Sequence, residues 1–283
     1  MKGKEKVMKK RKLISMGLTV CMLAGLIVSG CGKSEGEEKG KEGESEGKYK
    51  IGFANASISN SWRVKMRDML MEEADKLGVE IVETDANDDA NTQNSNIEAM
   101  LQQDLDAILI TPCVEDAVNP GIEAAYESGI PVILFDRTCT TEDYTHFVGY
   151  SDEKNGAACA QMLVDALEEK NGEAKGKIIA LDTIAGSSTD NNQKKGQDSV
   201  FSQYPDIEII ERQYTDFEAS KAKTFMEDCL SKYGEGEIDG IISQDGAVTL
   251  AAVDAIEEAG RMEEGILIVN ADGINGIAKM VKE

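Results

Sequence analysis

The chain has one histidine, His146, and no CxxC pair among its six cysteines. That leaves little material for a zinc site or a thioredoxin-type redox centre. A Ser-His-Asp hydrolase would depend on that single residue, which falls in an expected strand, where packing is the commoner role. No GxGxxG follows the first apolar run, where Gly52-Phe53-Ala54-Asn55-Ala56 stands, and there is no GxxxxGK(S/T) phosphate loop. Asp85, Asn87 and Asp89 start like a calcium loop, but Ala90 takes the sixth position and Asn96 the twelfth, so a polar loop and helix start is expected instead. Basic residues are in deficit, with 30 Lys and Arg against 53 Asp and Glu, a net charge of −23. That sign argues against nucleic acid and against electrostatic binding to an anionic membrane. No catalytic group, metal or cofactor is expected.

The basic residues that exist are crowded at the start. Lys9-Lys10-Arg11-Lys12 precedes an apolar stretch from Leu13 to Val28, followed by Ser29-Gly30-Cys31. A basic segment, an apolar segment and a small-residue cleavage site describe an export signal over residues 1–30, too short to span a membrane. Residues 31–48 are Gly, Glu, Lys and Ser with almost nothing apolar, and so read as a flexible acidic linker.

From Tyr49 the pattern is apolar run, polar turn and amphipathic helix, repeated about every thirty residues, as βαβ units require. Ile130 to Phe135 is an unbroken apolar run entered through Pro131, expected to be a parallel strand buried on both faces. It ends on Asp136-Arg137, where open α/β sheets present ligand-binding groups. Five such strands precede a hinge near Gly149 to Ser151, and a second series starts at Lys177. The fold class expected is therefore α/β, with two similar doubly wound parallel-sheet lobes, residues 49–149 and 150–283. Cys159 and Cys229 fall in helices as small core residues, while Cys113 and Cys139 follow adjacent strand ends, with pairing left open.

The strand ends carry polar planar groups and single aromatics: Asn55 with Asn60-Ser61-Trp62-Arg63, Asp85, Thr111, Asp136-Arg137, then Asp182, Asp216-Phe217, Gln244-Asp245 and Asp272. A cleft so lined suits a polyhydroxylated solute. Each carboxylate, amide or guanidinium meets hydroxyls, and an aromatic face covers the C–H face of a ring.

These residues resemble the ribose-binding-protein-like family of bacterial solute-binding proteins, the type I periplasmic sugar-binding partners of ABC importers. Ser61-Trp62-Arg63 and Asp136-Arg137 are most similar to members that bind galactofuranose. The resemblance implies that Asn60, Trp62 and Arg63 line the first wall, that Asp136 and Arg137 clamp ring hydroxyls, and that Phe217 stacks from the second lobe. It also implies that Asp245 stands where asparagine is common and that Asp272 accepts from the sugar. Val28-Ser29-Gly30-Cys31 resembles a lipobox, with Cys31 as the lipidated residue that holds the protein on the outer face of the membrane. Partners implied are a monosaccharide and an ABC permease, for a monomeric binding protein; a sensory partner of a membrane receptor or kinase is the alternative. Two departures stand out. Gln193 occupies the place of a family arginine three residues before Gly196, and the chain stops at Glu283, inside the helix begun after Asp272, where the family continues with a return to the first lobe.

Overall fold

The computed structural model describes residues 48–273. The export signal, Cys31, most of the linker and the helix expected after Asp272 lie outside the described residues. Strands β1 (Lys50–Asn55), β2 (Glu80–Asp85), β3 (Ala107–Ile110), β4 (Val132–Phe135) and β5 (His146–Val148) form one all-parallel sheet in the order β2-β1-β3-β4-β5. Helices α1 (Ser61–Leu77), α2 (Ala90–Met100) and α3 (Asn119–Ser128) connect its first four strands. A long helix, α4 (Asp152–Asn171), leads into a second parallel sheet, β7-β6-β8-β9. Its strands are β6 (Gly176–Asp182), β7 (Ile207–Tyr214), β8 (Gly240–Ser243) and β9 (Leu267–Asn270), joined by α5 (Ser188–Phe201), α6 (Ala219–Lys232) and α7 (Gly246–Glu258). In both sheets the order changes direction beside the first strand, which puts the crevice at the carboxyl strand ends.

Local chemistry explains the boundaries. Asn60, Asp89, Ser151 and Asp245 each cap a helix by accepting from the backbone N–H three residues on. Gly78, Gly129 and Gly172 end helices in the left-handed region that a side chain disfavours. The first core joins Ile108, Ile110, Val132 and Leu134 to Ile97 and Met100 of α2 and Ile122 of α3. The second sheet is covered on both faces. Leu163 and Leu167 of α4 pack on one side, and Met226 of α6 with Val248 and Ile256 of α7 on the other.

Several expectations need correction. Strand β4 is not buried on both faces: Val132 and Leu134 are buried, but Ile133 and Phe135 are half-buried, because α2 and α3 cover only one face. In α1 only Arg63 and Ala74 are buried, and Met69 is exposed despite its helical spacing. His146 is exposed at the edge of the sheet rather than packed in a core. Cys113 and Cys139 are free thiols, and Cys139 donates to Thr141 O.

Helices α4 and α5 approach closely at two glycines. A Cβ on Gly156 would lie 2.2 Å from the Gln193 carbonyl oxygen, and one on Gly196 would lie 2.0 Å from that of Glu153. No side chain fits at either place. This contact seats α5, and Gln193 with it, against the start of α4.

Candidate functional site

An open-sided cleft lies between the two sets of strand ends. All nine residues expected to bind ligand line it: Asn60, Trp62, Arg63, Asp136, Arg137, Gln193, Phe217, Asp245 and Asp272. The structure adds Tyr150, Thr189, Gln244 and Ala271. Tyr150 went unrecognised because it follows a strand whose end carries no charged or amide group, and Thr189 because it lies in the first turn of a helix. Gln193 also lies in helix α5, rather than at a strand end. Not every strand end takes part. Asp85 turns back to accept from Asn87 N, and Asp182 is buried beneath the floor, paired with Arg212 at 2.6 Å.

The first-lobe wall is an ion cluster. Asn60 spends its Oδ1 on the N–H of Arg63, which orients the first turn of α1 and sends the Arg63 guanidinium to Asp136, with Nη2 to Oδ2 at 3.1 Å. Both side chains are nearly removed from solvent. Burial first, and then the like charge of Arg137, lower the Arg63 guanidinium to about 10, while Asp136 pulls it back up. Its Nη1 has no partner. Asp136 has φ +68, a left-handed conformation that Asp and Asn tolerate better than most residues, and its N–H donates to Val148 O. That turn lifts the carboxylate out of line with β4. Arg137 is 1% exposed, donates to the carbonyls of Pro112 and Cys113, and leaves Nε unpartnered. A buried guanidinium with a free N–H at a cleft wall is poised for a hydroxyl or carbonyl oxygen.

Aromatics close the walls. Trp62 is 38% exposed, and the Arg63 guanidinium carbon lies 5.4 Å from its ring centre. From the other side Phe217 reaches over Arg137, at 5.9 Å. Asp216 and Phe217 both have positive φ, so the turn after β7 is held in a strained shape that aims the ring into the cleft.

The second-lobe wall is built differently. Asp245 caps α7 through Val248 N, and Asp272 Oδ2 lies 3.4 Å from Gly246 N at the same helix end. Gln244 is locked in place: its amide faces Asp182 and Asp190, and its oxygen accepts from both donors of Thr183. At the hinge Asp152 is pushed up to about 6, by burial and then by the neighbouring charge of Asp136. The two lobes also touch directly beside the cleft. Thr138 N donates to Ser188 Oγ at 2.9 Å, Glu115 N to Gly186 O at 3.0 Å, and Asn191 Nδ2 to Glu115 Oε2 at 2.7 Å.

Two parallel sheets facing each other across a polar, aromatic-capped cleft define a type I periplasmic binding protein. The family model for the periplasmic binding protein domain matches residues 51–283, and the chain belongs to that family. A xylitol-binding protein of Mycolicibacterium smegmatis is 33% identical over 204 residues, 72% of this chain and 56% of that protein, so the chain spans little more than half of that relative's length. A galactofuranose-binding protein of Escherichia coli is 28% identical over 238 residues, 82% of this chain and 74% of that one. Among solved structures, the periplasmic binding component of an arabinose ABC transporter from Shewanella sp. ANA-3, bound to α- and β-L-arabinofuranose, superposes with a TM-score of 0.74. It is 26% identical, over 81% of this chain and 76% of that one.

Proposed function

We propose that the chain is an extracytoplasmic solute-binding protein that captures a monosaccharide between its lobes and delivers it to the permease of an ABC importer. The observation that carries this reading is the cleft, where Arg63, Asp136, Arg137 and Trp62 face Gln193, Phe217 and Asp272. Hydrogen bonds to charged groups contribute about 1.5–3 kcal/mol each. Three or four of them reach the roughly −8 kcal/mol of a micromolar complex. Relatives named for binding xylitol and galactofuranose support the class of ligand, and the importer partner follows from a neighbour named as an ABC transporter component. These names favour transport over a sensory role for the same cleft.

In this reading ligand binding draws the lobes together about the hinge at 149–151, and the closed form docks on the permease as a monomer. Export through the N-terminal segment and lipidation at Cys31 would hold it on the outer face of the cytoplasmic membrane. Isothermal calorimetry across a panel of pentoses, hexoses and polyols tests the site. Asp136→Ala and Arg137→Ala should each weaken the tightest ligand at least tenfold, and unchanged affinity in both would sink the assignment. Radiolabelled palmitate incorporation, lost in Cys31→Ser, tests the anchor.

A further inference from the structure

The two walls of the cleft offer different chemistry. The first-lobe wall carries two guanidiniums with one carboxylate between them, and so is rich in donors. The described residues lining the opposite wall include no lysine or arginine. Lys194, next to Gln193, is turned away, with its ammonium 3.4 Å from Asp190 and 2.5 Å from the Tyr214 hydroxyl. The Gln244 amide is fully engaged with Asp182, Asp190 and Thr183. Apart from the Thr189 hydroxyl, what remains on this wall are acceptors. Gln193 is 2% exposed and its Oε1 has no partner. Its amide interacts with Asp152, itself 6% exposed and with Oδ1 also unpartnered.

Beside these oxygens stand Asp245 and Asp272, both at the N-terminus of α7. A helix N-terminus supplies roughly half a positive charge, which offsets only part of two carboxylates. Burial raises the Asp245 carboxyl, and the charge of Asp272 raises it further, so the two repel across a wall that has no cation among its described residues.

We infer that the ligand of this cleft carries a protonated amine directed at the second-lobe wall, as an amino sugar or aminated polyol does. The inference rests on the saccharide reading of the cleft and narrows it. A hydroxyl brings one donor and no charge, whereas an ammonium brings three donors and a full positive charge. Gln193 Oε1 and the Asp272 and Asp245 carboxylates can take those donors, while Arg63, Asp136 and Arg137 hold ring hydroxyls on the opposite side. The glutamine matters most, because an arginine there would place a cation where the amine must sit.

Calorimetry with the full chain at pH 7 compares D-galactosamine and D-glucosamine with D-galactose, D-glucose and the N-acetylated forms of both amines. The amines should bind at least about tenfold tighter than their parents, about 1.4 kcal/mol, and N-acetylation should remove the gain. Gln193→Arg should lower amine affinity at least tenfold more than it changes neutral-sugar affinity. The isosteric Asp272→Asn should shrink the amine preference by a similar factor if the arginine variant does not fold. Neutral sugars binding as tightly as the amines would overturn the inference and leave the saccharide reading standing. Binding by neither set, and by no pentose or polyol of the wider panel, would end both.

Discussion

Substituting Asp136 by asparagine removes the carboxylate ion-paired with Arg63, leaving only the weaker field of Asp88, without changing the shape of the side chain. The pair is 3.1 Å apart with side chains 4% and 11% exposed. At an effective dielectric constant near 20, opposite charges that close attract by about 5 kcal/mol. Taking one partner from a buried pair typically costs about 3–5 kcal/mol, because the other charge stays buried without compensation. Arg63 has an added burden, since Arg137 repels it and burial has already lowered its guanidinium to about 10. Asparagine keeps an acceptor and tolerates the φ of +68, so the lower end of the range, about 3 kcal/mol, is expected. In a folded region of this size each kcal/mol shifts the melting temperature by roughly 2–4 °C, giving a fall of about 6–12 °C. Urea and thermal unfolding followed by circular dichroism measure it. The double variant Arg63→Met with Asp136→Asn should recover most of the loss, because no buried charge is left unpaired. A single variant within about 1 kcal/mol of wild type, or a double variant as unstable as the single, would refute the account of this cluster.

Other outcomes follow from the same geometry. Asp152 is raised to about 6 in the fold against about 3.9 in an unfolded chain. Its contribution is therefore fully present below about pH 4 and is lost as pH rises through about 6. Asp152→Asn should flatten that part of a stability–pH curve and leave the protein about 1–3 kcal/mol more stable at pH 7. Gly196→Ala should separate α4 from α5 and destabilise by more than about 2 kcal/mol, with ligand affinity falling as Gln193 moves; denaturant titration and calorimetry report both. Trp62→Ala removes a half-exposed ring at the cleft wall, so affinity should drop about tenfold with the melting temperature nearly unchanged. Asn191→Asp sets a second carboxylate against Glu115 across the lobes, so it should favour the open form and weaken binding about fivefold at pH 7. Small-angle scattering should show the shift.

The parallel-strand architecture was legible because most strands carry a short apolar run and most helices begin or end on a residue with local chemistry, such as Asn60, Ser151 or Gly129. These signals need no partner from elsewhere in the chain. Eight of the nine cleft residues were legible for a related reason: they lie at or just after the carboxyl ends of strands, which right-handed crossovers gather on one side, whereas Gln193, inside helix α5, was singled out by the family resemblance alone. Depth and face were not legible. Met69 and Leu77 have helical spacing yet stay exposed, because burial depends on what the rest of the fold lays over a helix. Asp182 and Asp272 look alike as strand-end carboxylates, but only Asp272 opens on the cleft, since Arg212 on the neighbouring strand holds Asp182 beneath it.

The sequence alone determined the strand and helix pattern, the two successive series, and which polar residues would meet at the strand ends, since each depends on local preference and chain direction. Only the tertiary structure decided which of those groups are paired and which are free. Arg63 neutralises Asp136, Gln244 is locked into a buried network, and Gln193 keeps a buried oxygen without a partner among the described residues. Those outcomes depend on contacts between residues tens of positions apart, set by how the lobes and helices pack, and no local pattern encodes them.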